Sequence, residues 1–237
     1  MKKKKVWSAM ITWLIIAFLF WVAVIFITND PIKYQILYYS IWILVFGSLI
    51  WYFREPIKKE LRAWSIHPLI KFLLLVYGMV LLEEIFASFS LHLKEGFNIL
   101  IYPQRIGQFW ALNIIAFTGL AFALYFILKK INYSDTEIFF LAGVWGLYAE
   151  HTLMAIIGNP LAFIMYFPLV VFTYGIIITP ALWSLEQRGN KNINLILKYP
   201  LTLLVIFIFS VIPLVILTTL RNHFPMFFPP RTLVPYP

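Results

Sequence analysis

The stretch VWSAMITWLIIAFLFWVAVIFIT, residues 6–28, contains 23 residues and not one charge. A bilayer core about 30 Å thick takes about 20 helical residues to cross, so this run has the length and apolarity of a transmembrane helix. Four lysines, Lys2, Lys3, Lys4 and Lys5, lead into it, and Asn29-Asp30-Pro31 follows it. The run is too long for the apolar region of a cleavable signal, and no small-residue cleavage site comes after it. It therefore reads as a retained anchor.

The same rule applied outward finds six more runs, at about 34–53, 68–93, 108–128, 135–157, 160–184 and 197–220. A helix satisfies its own backbone hydrogen bonds, which lipid demands of anything that crosses it. Period-two alternation is absent, which excludes a transmembrane β-barrel. Composition agrees: 62% of the 237 residues are apolar and 12% charged, whereas a soluble domain is nearer half apolar. The mean hydropathy is +0.86. The expected fold is all-α, a polytopic integral membrane protein with seven transmembrane helices over residues 1–220. A Pro-rich outer tail, 221–237, extended or polyproline-like, completes it.

Local chemistry marks the boundaries. Ser134-Asp135-Thr136-Glu137 has the form of a capping box opening the fifth span. Gly158-Asn159-Pro160 reads as a tight reversal, which makes the fifth and sixth spans an antiparallel hairpin. The longest loops, 54–67, 94–107 and 185–196, are too short to fold alone.

Basic residues accumulate on the cytoplasmic side. With the amino terminus inside, the inner segments contain Lys2 to Lys5, Arg54, Lys58, Lys59, Arg62, Lys129, Lys130, Arg188, Lys191 and Lys198. The outer segments contain only Lys33, Lys94, Arg105, Arg221 and Arg231, and Lys71 snorkels at the inner end of the third span. The amino terminus is expected inside and the carboxyl terminus outside, in the plasma membrane of a prokaryote. The net charge of +9 is spread over short loops where topology already requires it, so nucleic acid is not an expected partner. The expected partners are the lipid bilayer and other membrane subunits, met through the aromatic surface and the 221–237 tail. The chain has no cysteine, which removes disulfides, thiolate metal sites and thiol nucleophiles. No cofactor is identified.

Charged groups inside a bilayer are costly and mark function. The third span carries Glu83 and Glu84, the fifth Glu150 and His151. Glu84 lies eight residues before His92, and Glu150 lies eight before Gly158, so at 1.5 Å per residue both sit about 12 Å below the outer surface. Glu84, Ser88 and His92 share one stripe of their helix, with Ser90 seven residues beyond Glu83 on the flanking stripe. Gly143 and Gly146 fall on the side of Glu150 and allow another helix close. Asn113 of the fourth span is at comparable depth, and Tyr166 and Tyr174 of the sixth are candidates to face the group. The expected site joins Glu83, Glu84, Glu150 and His151, with Asn113 and His92 as lesser members, in a water-accessible cleft open outward.

Three chemistries suit such a set. A Glu and a His can activate water for attack on a carbonyl, with Asn113 or His151 steadying the oxyanion. Carboxylate and imidazole can also hold a divalent cation, although no HExxH or other metal spacing is present. The same groups can relay protons or bind a cation in transport.

Glu83-Glu84-Ile85-Phe86-Ala87-Ser88 resembles the first motif of the CAAX-protease and bacteriocin-processing family of glutamic intramembrane proteases, and Leu147-Tyr148-Ala149-Glu150-His151 is similar to its second. The resemblance implies that Glu83 or Glu84 activates the water and His151 helps hold the oxyanion. Ser88 stands where that family has arginine, Ala87 where it has an aromatic residue and Leu147 where its second motif has another. The expected function is an intramembrane hydrolase acting on a lipid-embedded peptide or lipid-like substrate. The alternatives are a non-catalytic subunit of a membrane complex, or a small transporter.

Overall fold

A computed structural model describes residues 2–28, 32–186, 188–225 and 227–228. Asn29-Asp30-Pro31, Met226 and the proline-rich tail 229–237 lie outside the described residues. The chain is almost entirely helical. Helix α1 is Lys2–Thr28, α2 Ile32–Tyr52, α3 Arg54–Ala63, α4 Pro68–Glu95 and α5 Tyr102–Lys130. After these come α6 Asp135–Ala149, α7 Thr152–Gly158, α8 Pro160–Ser184 and α9 Leu195–His223. The described residues include no strand, only an isolated bridge between Ile131 and Lys191.

Among the described residues five helices are long and apolar enough to cross a membrane: α2, α5, α8, α9 and α1 from Lys5. A sixth crossing is reached only by joining α6 to α7, which are inclined to each other by 71°. The expected unbroken fifth span, 135–157, is thus interrupted after Ala149. Helix α2 keeps its expected extent but is wound as a π-helix over Ser40–Gly47. Two loops are shorter than expected. Residues 54–67 contain the ten-residue α3, and α5 begins at Tyr102, six residues before its apolar run. Helix α9 also runs to His223, into the expected tail.

The chain divides into two compact units, Met1–Tyr52 with Ser134–Ile176, and Phe53–Tyr133 with Ile177–Pro237. In the first, aromatic rings fill the spaces between helices. Trp7 packs on Phe139, Phe140 and Phe172 and donates its indole N–H to Thr136 at 3.1 Å. Trp13 stacks on Phe167 with ring centres 4.7 Å apart. The Ser134 capping box that opens α6 is complete in both directions. Gly143 lies against Val171 and Gly175 against Phe139, the crossed order of antiparallel neighbours. A side chain at Gly143 would bring a Cβ within 2.8 Å of the Val171 backbone, so glycine is what allows α6 and α8 to touch.

The second unit is built on α4, α5 and α9. Phe72 meets Tyr125, and Tyr77 meets Thr118, so α4 and α5 run antiparallel. Phe126 packs on Phe209, while Tyr133 reaches back to Lys198 and Thr202, so α5 and α9 are antiparallel too. The start of α4, the end of α5 and the start of α9 therefore share one end of the unit. Lys71, expected to snorkel toward water, is instead buried and donates to the carbonyls of Leu61 (3.1 Å) and Trp64 (2.9 Å). It closes the C-terminus of α3, where the helix dipole favours a cation. Arg62 and Arg188 do the same for α8, through Trp183 and Leu182.

Candidate functional site

Helix α4 delivers the stripe that its sequence periodicity predicts. Glu84, Ser88 and His92, at i, i+4 and i+8, are all buried, with relative exposures of 5%, 2% and 3%. Glu83, one position round the helix, is half-buried, and Ser90 is buried on that flanking side. The expected wall of a water-accessible cleft is therefore a closed, polar seam.

Asn113 of α5 donates its amide N–H to Glu84 Oε1. The geometry follows from the antiparallel pairing, since Tyr77 bonds Thr118 below this level and Tyr102 donates to the Ile85 carbonyl (2.6 Å) above it. Trp110 adds a bond from its indole to the Tyr77 carbonyl at 3.2 Å. These contacts hold α5 against the carboxylate from both sides.

Farther along α4, His92 sits among aromatic rings, with Tyr102 at 5.5 Å and Phe97 at 5.9 Å between centroids. The buried atoms Ser88 Oγ, Ser90 Oγ and His92 Nδ1 have no hydrogen-bond partner among the described residues. Buried polar atoms are costly unless something bonds to them, so three together mark a polar interior to this part of α4. No spacing rule points to Tyr102 or Phe97. The loop 96–101, with Gly96 at φ 91°, brings them over the imidazole. The start of α5 also forms one side of a cleft lined by Gln104, Gly107, Gln108, Ala111, Phe227 and Phe228. The two tail phenylalanines thus lie beside α5.

Glu150 and His151 belong to the first unit. Glu150 closes α6, its N–H bonded to the Gly146 carbonyl at 2.9 Å. Its Oε1 accepts the Tyr174 hydroxyl at 2.6 Å. Gly146 makes this possible, because the Tyr174 ring occupies the volume that any larger residue there would fill. The stripe of Gly143, Gly146 and Glu150 and the candidate Tyr174 therefore converge as the spacing suggests. Tyr166 instead bonds Gln35 of α2, at 2.9 Å. His151 is exposed and adopts φ 54°, the left-handed region, which turns the chain from α6 into α7. A non-glycine residue there carries about 1–2 kcal/mol of strain, and such strain recurs at functional sites.

Glu84 and Asn113 form one pair and Glu150 and Tyr174 another, each within its own unit. Both carboxylates have neutral hydrogen-bond donors. Among the described residues no three His, Asp or Glu side chains group so as to hold a metal ion. No protein-family model, no characterised protein and no solved structure matches this chain.

Proposed function

We propose that the chain is a membrane protein that binds a proton or a small cation at the buried carboxylate of Glu84. The observation that carries this is a carboxylate 5% exposed within the 28-residue helix α4, bonded to a neutral amide. An ionisable group in such a place is kept because function requires it. Asn113 can donate to a carboxylate or, through its carbonyl, accept from a carboxylic acid, so one side chain serves both protonation states. Ser88 and His92 extend the polar seam toward the end of α4. In this reading α4 is the third of seven spans, the bent α6–α7 counts as the fifth, and the amino terminus is cytoplasmic with the carboxyl terminus outside. The membrane is the plasma membrane of a prokaryote, and other subunits dock through the aromatic surface and the tail.

Proteoliposomes test it. The wild-type chain should dissipate an imposed pH or sodium gradient, and Glu84→Gln and Asn113→Leu should each slow that dissipation at least tenfold while reconstituting in equal amount. Equal rates in all three proteins remove the reading.

A second reading, the intramembrane hydrolase, is favoured by the strained His151 beside Glu150 and by the resemblance of the two glutamate and histidine segments. Glu83 or Glu84 would then activate water, with Asn113 at the oxyanion. Asn113 already donates to Glu84, so it would have to turn from the base to serve a substrate carbonyl. Turnover of a lipid-embedded peptide that Glu84→Gln abolishes supports this reading; turnover that survives the substitution rules it out.

A further inference from the structure

We propose that the basic end of the second unit, with α3 laid along it, is a binding surface for the headgroups of anionic phospholipids. The proposal rests on the chain's residence in a membrane and is independent of what Glu84 does.

Helix α3 has no buried residue, yet its sequence is strongly two-sided. Phe53, Ile57, Leu61 and Trp64 recur at the spacing of one helical face, and Arg54, Lys58 and Arg62 form the stripe beside it. A short helix of this pattern lies in the plane of a membrane interface, its apolar side toward the acyl chains and its cations toward the headgroups. Phe53 and Trp64 remain 48% and 43% exposed. The helix opens one residue after the apolar α2 ends, and α4 begins five residues after Ala63, so the chain leaves no slack for α3 to move away from the membrane surface. Lys71 pins its C-terminus, and Lys58 lies over the Trp183 ring at 5.2 Å.

Some of the neighbouring cations are engaged inside the protein and others are exposed. Lys71, Arg62 and Arg188 are engaged with helix carbonyls. Lys59, Lys130 and Lys191 are exposed. The last two are held side by side, because the Lys191 N–H donates to the Lys130 carbonyl at 3.4 Å and Gly189 N–H to that of Leu128 at 2.7 Å. The antiparallel order of α4, α5 and α9 brings these lysines to the same end as α3. Exposed ammonium groups at the end of the unit that also carries the half-exposed Trp64 match a phosphate with its acyl chain below. Each cation near a charged leaflet strengthens such binding.

The test uses the full chain in dodecyl maltoside micelles, supplied with dioleoylphosphatidylglycerol or dioleoylphosphatidylcholine and read by native mass spectrometry and thermal melting. The wild-type chain should retain the anionic lipid preferentially and melt higher in its presence. Lys59→Gln/Lys130→Gln/Lys191→Gln should reduce that preference on the order of a hundredfold, with melting in phosphatidylcholine unchanged. Lys94→Gln, at the opposite end, should leave it intact. A preference that survives the triple substitution, or none in the wild-type chain, overturns the proposal. A preference for a copurifying acidic protein over the lipid, equally sensitive to the substitutions, also overturns it. Extraction of the chain from cells without detergent would instead show that the membrane reading had failed.

Discussion

At the scale of single residues, the Glu84–Asn113 bond and the His151 turn make opposite demands on stability. Asn113→Ala withdraws a donor from a buried carboxylate, a loss of about 1–3 kcal/mol, so its melting temperature in detergent should fall clearly below that of the wild-type chain. Glu84→Gln keeps a polar group of the same shape and should melt close to it. His151→Gly should melt at or above the wild-type temperature, because glycine adopts the left-handed conformation without a Cβ clash. If the variant also loses function, the strain was retained for the chemistry. The stripe from Glu84 to His92 is legible in the sequence because helical spacing alone fixes which residues share a face. The aromatic rings over His92 are not legible, since Phe97 and Tyr102 reach it through a loop closure that no local period encodes.

At the scale of elements, glycines separate close contacts from open space. Gly119 lies where a Cβ would come within 2.6 Å of the Ser210 Cα, and Gly143 faces the Val171 backbone, whereas Gly78 has nothing within 4 Å. Gly119→Ala and Gly143→Ala should each destabilise by about 1–3 kcal/mol, and Gly78→Ala should be neutral or stabilising by up to about 1 kcal/mol, since alanine favours a helix. Thermal melts of the three variants in one detergent check the contrast. Helix α3 has its own pH signature. The hydrogen bond from Arg54, and then the charge of Lys58, hold the Glu55 carboxyl below its ordinary range. A carboxyl lowered in the folded state stabilises above its unfolded value and loses that contribution as pH falls through the lowered one. Circular dichroism should find α3 better formed at neutral pH than in acid. The element boundaries were legible where caps announce them, as at Ser134 and Pro160. The break after Ala149 was not, because Tyr148-Ala149-Glu150-His151 contains neither glycine nor proline, and the bend depends on His151 accepting an unusual backbone angle.

At the scale of the whole molecule, apolar surface is distributed unevenly among the long helices. The apolar windows of α1 and α9 are only 22% buried, against 56% for α5 and 61% for α8. Leu214 on α9 is 63% exposed while Leu124 on α5 is fully buried. Leu124→Ala should therefore cost about 2–5 kcal/mol and Leu214→Ala almost nothing, measured by denaturation in the same micelle. The membrane class was readable from composition, because no soluble surface could carry so many apolar residues. How the helices divide into two units was not, since it depends on which apolar faces meet and the runs are apolar all round. Lys71 turns this architecture into something a chemist can read directly. An ammonium group buried in the protein and held by two carbonyls is out of reach of a succinimidyl ester, while Lys59, Lys130 and Lys191 stand open to the reagent. The pattern of acylated lysines in a tryptic digest is thus a fingerprint of the native state, and a label on Lys71 would announce that α3 had come undone.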